Sequence, residues 1–219
     1  MDVEMMQKRI GNRLVAVCAA LVLLAGTTAH AALLTTGNTL NPAPQEAGQP
    51  SPGAVQVATI SQPFAAPPNF SGVLTSTAFR NDATNPFGLN ALTFVYTVSN
   101  NQGSSNALAR AVFDSFGGFQ TDTSWDGAGT RPARVDRLTA GDIGWSFDIV
   151  PPGGAGPILP GATSTRLVVQ TDATFFGAAN ASVIDGAIAT GIPTIGPAIP
   201  EPASLGALAL AGLLLRRRR

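Results

Sequence analysis

Leu92-Thr93-Phe94-Val95-Tyr96-Thr97-Val98, followed at once by Ser99-Asn100-Asn101-Gln102-Gly103, is the stretch that decides the fold. Its first part is dense in β-branched and aromatic side chains, which fit a pleated, packed surface better than a helix. Its second part is a run of small polar residues ending in glycine, the composition of a turn. Upstream, Val73, Leu74, Thr75, Thr77 and Phe79 begin a similar segment that stops near Asn81-Asp82. Downstream, further runs occupy 108–116, 143–150, 165–171 and 182–190, with Gly, Pro, Asn or Asp in nearly every gap. No helical period lasts beyond about ten residues in this part of the chain. The expected class is therefore all-β, an antiparallel β-sandwich of about six to nine strands over 69–192. The Ala/Leu-rich piece 106–116 is the one place where a helix competes, and Asp185-Gly186 reads as a hairpin turn.

The flanks of this region look different. Residues 32–68 are rich in Pro, Gly, Gln, Ala and Thr, with one short alternation, Val55-Gln56-Val57-Ala58-Thr59-Ile60. They read as a lead-in carrying at most a short strand, and 193–199 as a linker. The whole chain has 219 residues, 45% hydrophobic and 12% charged, with a formal net charge of zero, but its basic residues crowd the two ends.

At the N-terminus, Lys8, Arg9 and Arg13 precede the apolar run 14–26, and Ala29-His30-Ala31 supplies small residues in an A-x-A arrangement. The apolar run covers only about 20 Å as a helix, short of a membrane span. This is the build of a secretory signal peptide over 1–31, cleaved between Ala31 and Ala32 by signal peptidase after passage through the Sec translocon. The only cysteine (Cys18), histidine (His30) and lysine (Lys8) fall inside it and leave with it.

At the C-terminus, 200–219, Pro200-Glu201-Pro202 precedes the apolar run 203–215 and then Arg216, Arg217, Arg218 and Arg219. Proline lacks an N–H and keeps the residue before it out of the helical region, so Glu201 is held extended and accessible. Four arginines cannot follow an apolar helix across a bilayer, which makes them a stop-transfer signal on the cytoplasmic side. An apolar run of about 20 Å is a weak permanent anchor and suits a transient one. Both charged ends then stay inside and 32–200 lies outside.

This three-part tail resembles the PEP-CTERM sorting domain of bacteria. The resemblance implies that an exosortase, an integral-membrane transpeptidase-like enzyme, recognises Pro200, Glu201 and Pro202 and processes the tail. It also implies a destination at the cell surface or in an extracellular matrix, in organisms that make exopolysaccharide or biofilm. More faintly, Thr84-Asn85-Pro86-Phe87-Gly88 with Leu92-Thr93-Phe94-Val95-Tyr96, and Ala181-Ser182-Val183-Ile184-Asp185-Gly186, resemble phrases of uncharacterised secreted proteins carrying that tail.

Between the ends, six arginines face ten acids, a net charge of −4 over 32–200. No basic stripe remains for nucleic acid. Without His, Cys or Lys this region builds no Ser-His-Asp triad, no Cys-His pair, no Schiff-base lysine and no His-ligated zinc. No enzyme activity, cofactor or metal is expected, and the remote alternative is a glycoside hydrolase using Asp122 and Asp126. Trp125, in Thr121-Asp122-Thr123-Ser124-Trp125-Asp126-Gly127, is read on a polar loop, as a plug at the end of the core or as a candidate contact to exopolysaccharide. Trp145 alternates with Ile143 and Phe147 and reads as core. Arg131, Arg134 and Arg137 read as a solvated loop. The segment Arg80-Asn81-Asp82-Ala83-Thr84-Asn85 offers oxygen ligands for Ca²⁺ without EF-hand spacing, and a turn held by Asx hydrogen bonds is the stronger reading.

Overall fold

The computed structural model describes residues 32–148 and 156–200, all within one compact unit that starts at Ala31. In chain order the strands are β1 (Ala32–Leu33), β2 (Asn38–Leu40), β3 (Val55–Ala66), β4 (Phe70–Arg80), β5 (Thr93–Asn100), β6 (Arg110–Phe113), β7 (Thr121–Asp126), β8 (Arg134–Arg137), β9 (Ile143–Ser146), β10 (Arg166–Thr171), β11 (Phe176–Asp185) and β12 (Ala187–Pro197). The described residues contain no helix, and the all-β class holds. The two expected terminal helices lie outside the described residues.

Two six-stranded antiparallel sheets form the fold, one in the order β1-β7-β10-β5-β4-β3, the other β12-β11-β6-β9-β8-β2. The first will be called sheet A and the second sheet B. Along β5, Phe94, Tyr96 and Val98 point inward, and on β6 and β9 so do Ala111, Phe113, Ile143 and Trp145. Tyr96 of sheet A stacks on Phe113 of sheet B with ring centroids 4.0 Å apart, which fixes the inner faces against each other. Each such large apolar side chain contributes about 1.5–3 kcal/mol by leaving water. The Tyr96 hydroxyl, held away from water, donates to the Ile195 carbonyl at 2.8 Å, and burial together with the Asp114 charge pushes its pKa well up.

Several expectations change. Nine strands, β4 to β12, begin within 69–192, inside the expected six to nine, but three more, β1 to β3, come from 32–68, which is built into both sheets instead of leading up to them. The alternation at 55–60 extends to the 12-residue β3, which pairs with β4 along almost its whole length. The expected linker is largely strand, since β12 runs to Pro197. Residues 106–116 carry β6, not a helix: Arg110–Phe113 lies between β9 and β11 in sheet B. Thr121–Asp126 is not a loop but β7, paired with β10 over six residues and buried throughout. Arg134 and Arg137 likewise bound β8, not a solvated loop. The hairpin at Asp185-Gly186 is present, joining β11 to β12 with Gly186 at φ 65°, where a side chain is strained.

The outer faces are unequal. On sheet B, Arg110 makes a two-pronged ion pair with Asp136 at 2.6 and 2.7 Å across Gly144, where a Cβ would collide with the guanidinium. On sheet A, the half formed by β7, β10 and β5 is roofed by 43–52 and 81–92, whereas β3 and β4 are bare. That bare half presents paired hydroxyls, Thr59 to Thr77 at 3.1 Å and Ser61 to Thr75 at 2.8 Å.

Candidate functional site

The residues singled out by the sequence fall in three places. Ala29, Ala31, Glu201, Pro202 and Arg216 to Arg219 lie outside the described residues. Ala32 opens β1, paired with Thr123 of β7, and Pro200 stands exposed three residues beyond the end of β12. Trp125, Asp122 and Asp126 sit on β7, the tryptophan facing inward and the two aspartates outward.

Trp125 is only 8% exposed, packs in the core cluster, and donates its indole N–H to the Ala43 carbonyl at 3.1 Å. No ring face is left for a sugar to stack on, so the core reading replaces the glycan contact. The physical reason is the segment at 43–46, which bridges onto β7 and covers the ring; the Trp125 amide donates to the Pro44 carbonyl at 3.0 Å. Asp122 and Asp126 are also buried. Asp126 pairs with Arg166 of β10 and accepts from the amides of Gly48 and Gly127, so its carboxylate is committed to the roof.

Asp82 is the centre of the roofed half. It is fully buried, and five donors converge on its carboxylate: the Ser51 amide at 2.9 Å, the Thr84 amide at 3.1 Å, the hydroxyls of Thr84 and Thr93 at 2.7 Å, and the Gln170 amide group at 3.2 Å. Burial raises its pKa, but the hydrogen bonds from Ser51, Thr93 and Thr84 outweigh it and bring the value from 3.8 down to about 2. A carboxyl with that value is ionised at neutral pH and has no proton to donate. Asn85, beside it, accepts from the Phe87 amide at 2.9 Å and donates to the carbonyls of Leu92 and Thr171. Both side chains bond the amide two residues on, so Arg80–Asn85 is the Asx turn rather than a cation loop. Among the described residues no group of three or more His, Cys, Asp or Glu is placed to hold a metal.

Arg137, at the end of β8, is the counterpart. Its side chain turns in between the sheets and is 4% exposed. Nη2 donates to the carbonyls of Phe116 at 2.6 Å and Ala140 at 2.8 Å, while Nη1 donates to the Phe119 carbonyl and the Thr121 hydroxyl, both at 3.0 Å. Burial lowers its pKa below the usual arginine range, and the Asp172 charge partly restores it. The guanidinium also borders a cavity of about 270 Å³ lined by Leu33, Thr36, Phe119 and Gln120. Its N–H groups already point at protein acceptors, so it serves as a clasp across loops rather than as an anion receptor. Neither the Arg137 clasp nor the part that Ser51 and Gln170 play around Asp82 was visible in the sequence. The one available signal was strand parity, which puts Arg137 on the same face as Val135.

No protein-family model, curated protein or solved structure matches this chain. What the described residues offer is thus a pair of buried ions solvated by protein dipoles, both of them built to fasten loops. Accessible groups include the bare hydroxyl face and the exposed C-terminal exit at Pro200.

Proposed function

We propose that this chain is an exported, non-enzymatic protein of the bacterial cell surface or extracellular matrix, sorted by an exosortase through its C-terminal tail. One observation carries the reading: Pro200-Glu201-Pro202, a 13-residue apolar run and four arginines stand in that order at 200–219. The shape of the fold is compatible with such a route. Its last strand ends at Pro197, leaving 198–200 as a short lead to the motif. On this reading the tail inserts transiently, the arginines stop it, and the enzyme reaches the proline-flanked glutamate from outside.

Mass spectrometry of the exported protein in cells with and without the exosortase tests this directly. The expected result is an N-terminus at Ala32 in both, with the arginine tail missing only where the enzyme is present. A C-terminus still carrying Arg219 in normal cells would overturn it.

A second reading, an adhesive module that binds exopolysaccharide, is favoured by the uncharged hydroxyl rows of β3 and β4 rather than by Trp125. Retention of the protein on an exopolysaccharide gel, reduced by Thr75→Glu, is its expected outcome; retention unchanged by that substitution would remove the face from consideration.

A further inference from the structure

The sandwich has two ends, and they differ. At the end where β12 leaves the fold, the connections 51–54, 81–92, 172–175 and 198–200 come together. Ala198 donates its amide to the Phe175 carbonyl, Arg80 donates to the Thr174 carbonyl, and the Asn81 amide donates to the Leu89 carbonyl, each within 2.9–3.0 Å. Phe175, Phe176, Ile199, Leu89 and Val55 are all exposed along this rim, with Ile199 at 73% and Leu89 at 59%. The opposite end, which holds the β11–β12 turn, exposes fewer large apolar side chains among the described residues, Leu159 and Ile188 with Val73 further along β4. Two adjacent phenylalanines and an isoleucine in water have no folding rationale, since each would gain by burial.

We propose that this rim rests in the head-group layer of the bilayer while the chain is anchored. The inference depends on the tail reading, in which 203–215 enters the membrane, and adds to it the orientation of the folded domain. Chain reach argues for the occupant. Four residue steps separate Ile199 from Ala203, at most about 14 Å even when fully extended. The head-group layer on each side of a bilayer is about 5–8 Å deep. Wherever Ala203 meets the hydrocarbon, Ile199 and the paired Phe175 and Phe176 are held within or just above that layer. Aromatic side chains gain there from having an apolar body beside a wet boundary. Docking by this end also holds Glu201 close to the membrane surface, where an integral-membrane enzyme works, and points the β11–β12 turn away from it.

The test uses the exported chain with its tail intact, purified from cells lacking the exosortase and reconstituted in phosphatidylcholine vesicles. Tryptophan is introduced at one end or the other, as Phe175→Trp or Ile188→Trp. The native Trp125 and Trp145 are buried and provide the baseline. With brominated phosphatidylcholine, the new tryptophan of Phe175→Trp should lose on the order of half its emission and that of Ile188→Trp almost none. Flotation with the vesicles and equal quenching at both positions would overturn the docked rim while leaving the anchor standing. Flotation with no lipid quenching at Phe175→Trp, but protection from an aqueous quencher, would mean that 203–215 folds back over the rim, and would overturn it too. Failure to float would overturn the anchor reading and the rim together.

Discussion

The roof over sheet A and the end of the interior solve the same problem with opposite signs. Among the described residues, Asp82 is an anion with no cation in contact, surrounded by amides and hydroxyls, and Arg137 is a cation with no carboxylate in contact, surrounded by carbonyls. Each would be costly to bury alone, and each is stabilised by dipoles that its own loops supply. The difference lies in what the ion holds. Asp82 fastens two roof segments, through Ser51 and Thr84, to Thr93 and Gln170 on sheet A. Arg137 fastens loops at 116–119 and 140 between the sheets, so it closes the core itself. Interior position should therefore make Arg137 the costlier of the two to lose.

Arg137→Met is expected to destabilise the protein most, by about 4 kcal/mol, because several buried carbonyls lose a charged donor at once. Urea denaturation measures it, and a cost no larger than that of Asp82→Asn would break the proposed ranking. Asp82→Asn keeps the shape but turns an amide N–H₂ toward some of the same donors, and about 2–3 kcal/mol is expected in the same measurement. The wild-type protein should lose on the order of 2 kcal/mol in acid. With a folded pKa of about 2 against an ordinary 3.8, the folded state keeps Asp82 ionised where the unfolded chain takes up a proton. That stabilisation is full above about pH 4 and disappears as the pH falls toward 2. In Asp82→Asn this part of the acid slope should vanish, whereas in Arg137→Met it should persist, which separates the two clasps. Thr77→Ala, on the bare half of sheet A, is expected to shift stability by less than about 0.5 kcal/mol. A larger loss would mean that the exposed hydroxyl rows hold the sheet together and are not merely displayed.

Legibility followed side-chain chemistry. The strands β4, β5 and β10 were readable because Leu74, Phe94, Tyr96, Val98, Leu167 and Val169 are core residues with high strand preference. Strand β7 was read as a loop because Thr121-Asp122-Thr123-Ser124-Trp125-Asp126 is polar, and polar residues ordinarily mark the surface. It is buried only because 43–52 lies across it, and that segment reads by itself as a lead-in. The same holds for β8, where Arg134 and Arg137 suggested solvent but one pairs outward near Asp136 and the other turns inward. The Asx turn at Asp82 was visible, since Asp and Asn bond their own backbone two residues on. Its remote partners Ser51 and Gln170 were not.

By itself the sequence determined the all-β class, the order of the main strands, the hairpin at Asp185-Gly186 and the composition of the two ends, because each of these depends on neighbours along the chain. Tertiary structure alone decided which polar residues are buried. The free energy of a buried Asp82 or Arg137 is set by donors and acceptors that lie far away in sequence, and no local pattern encodes their arrival.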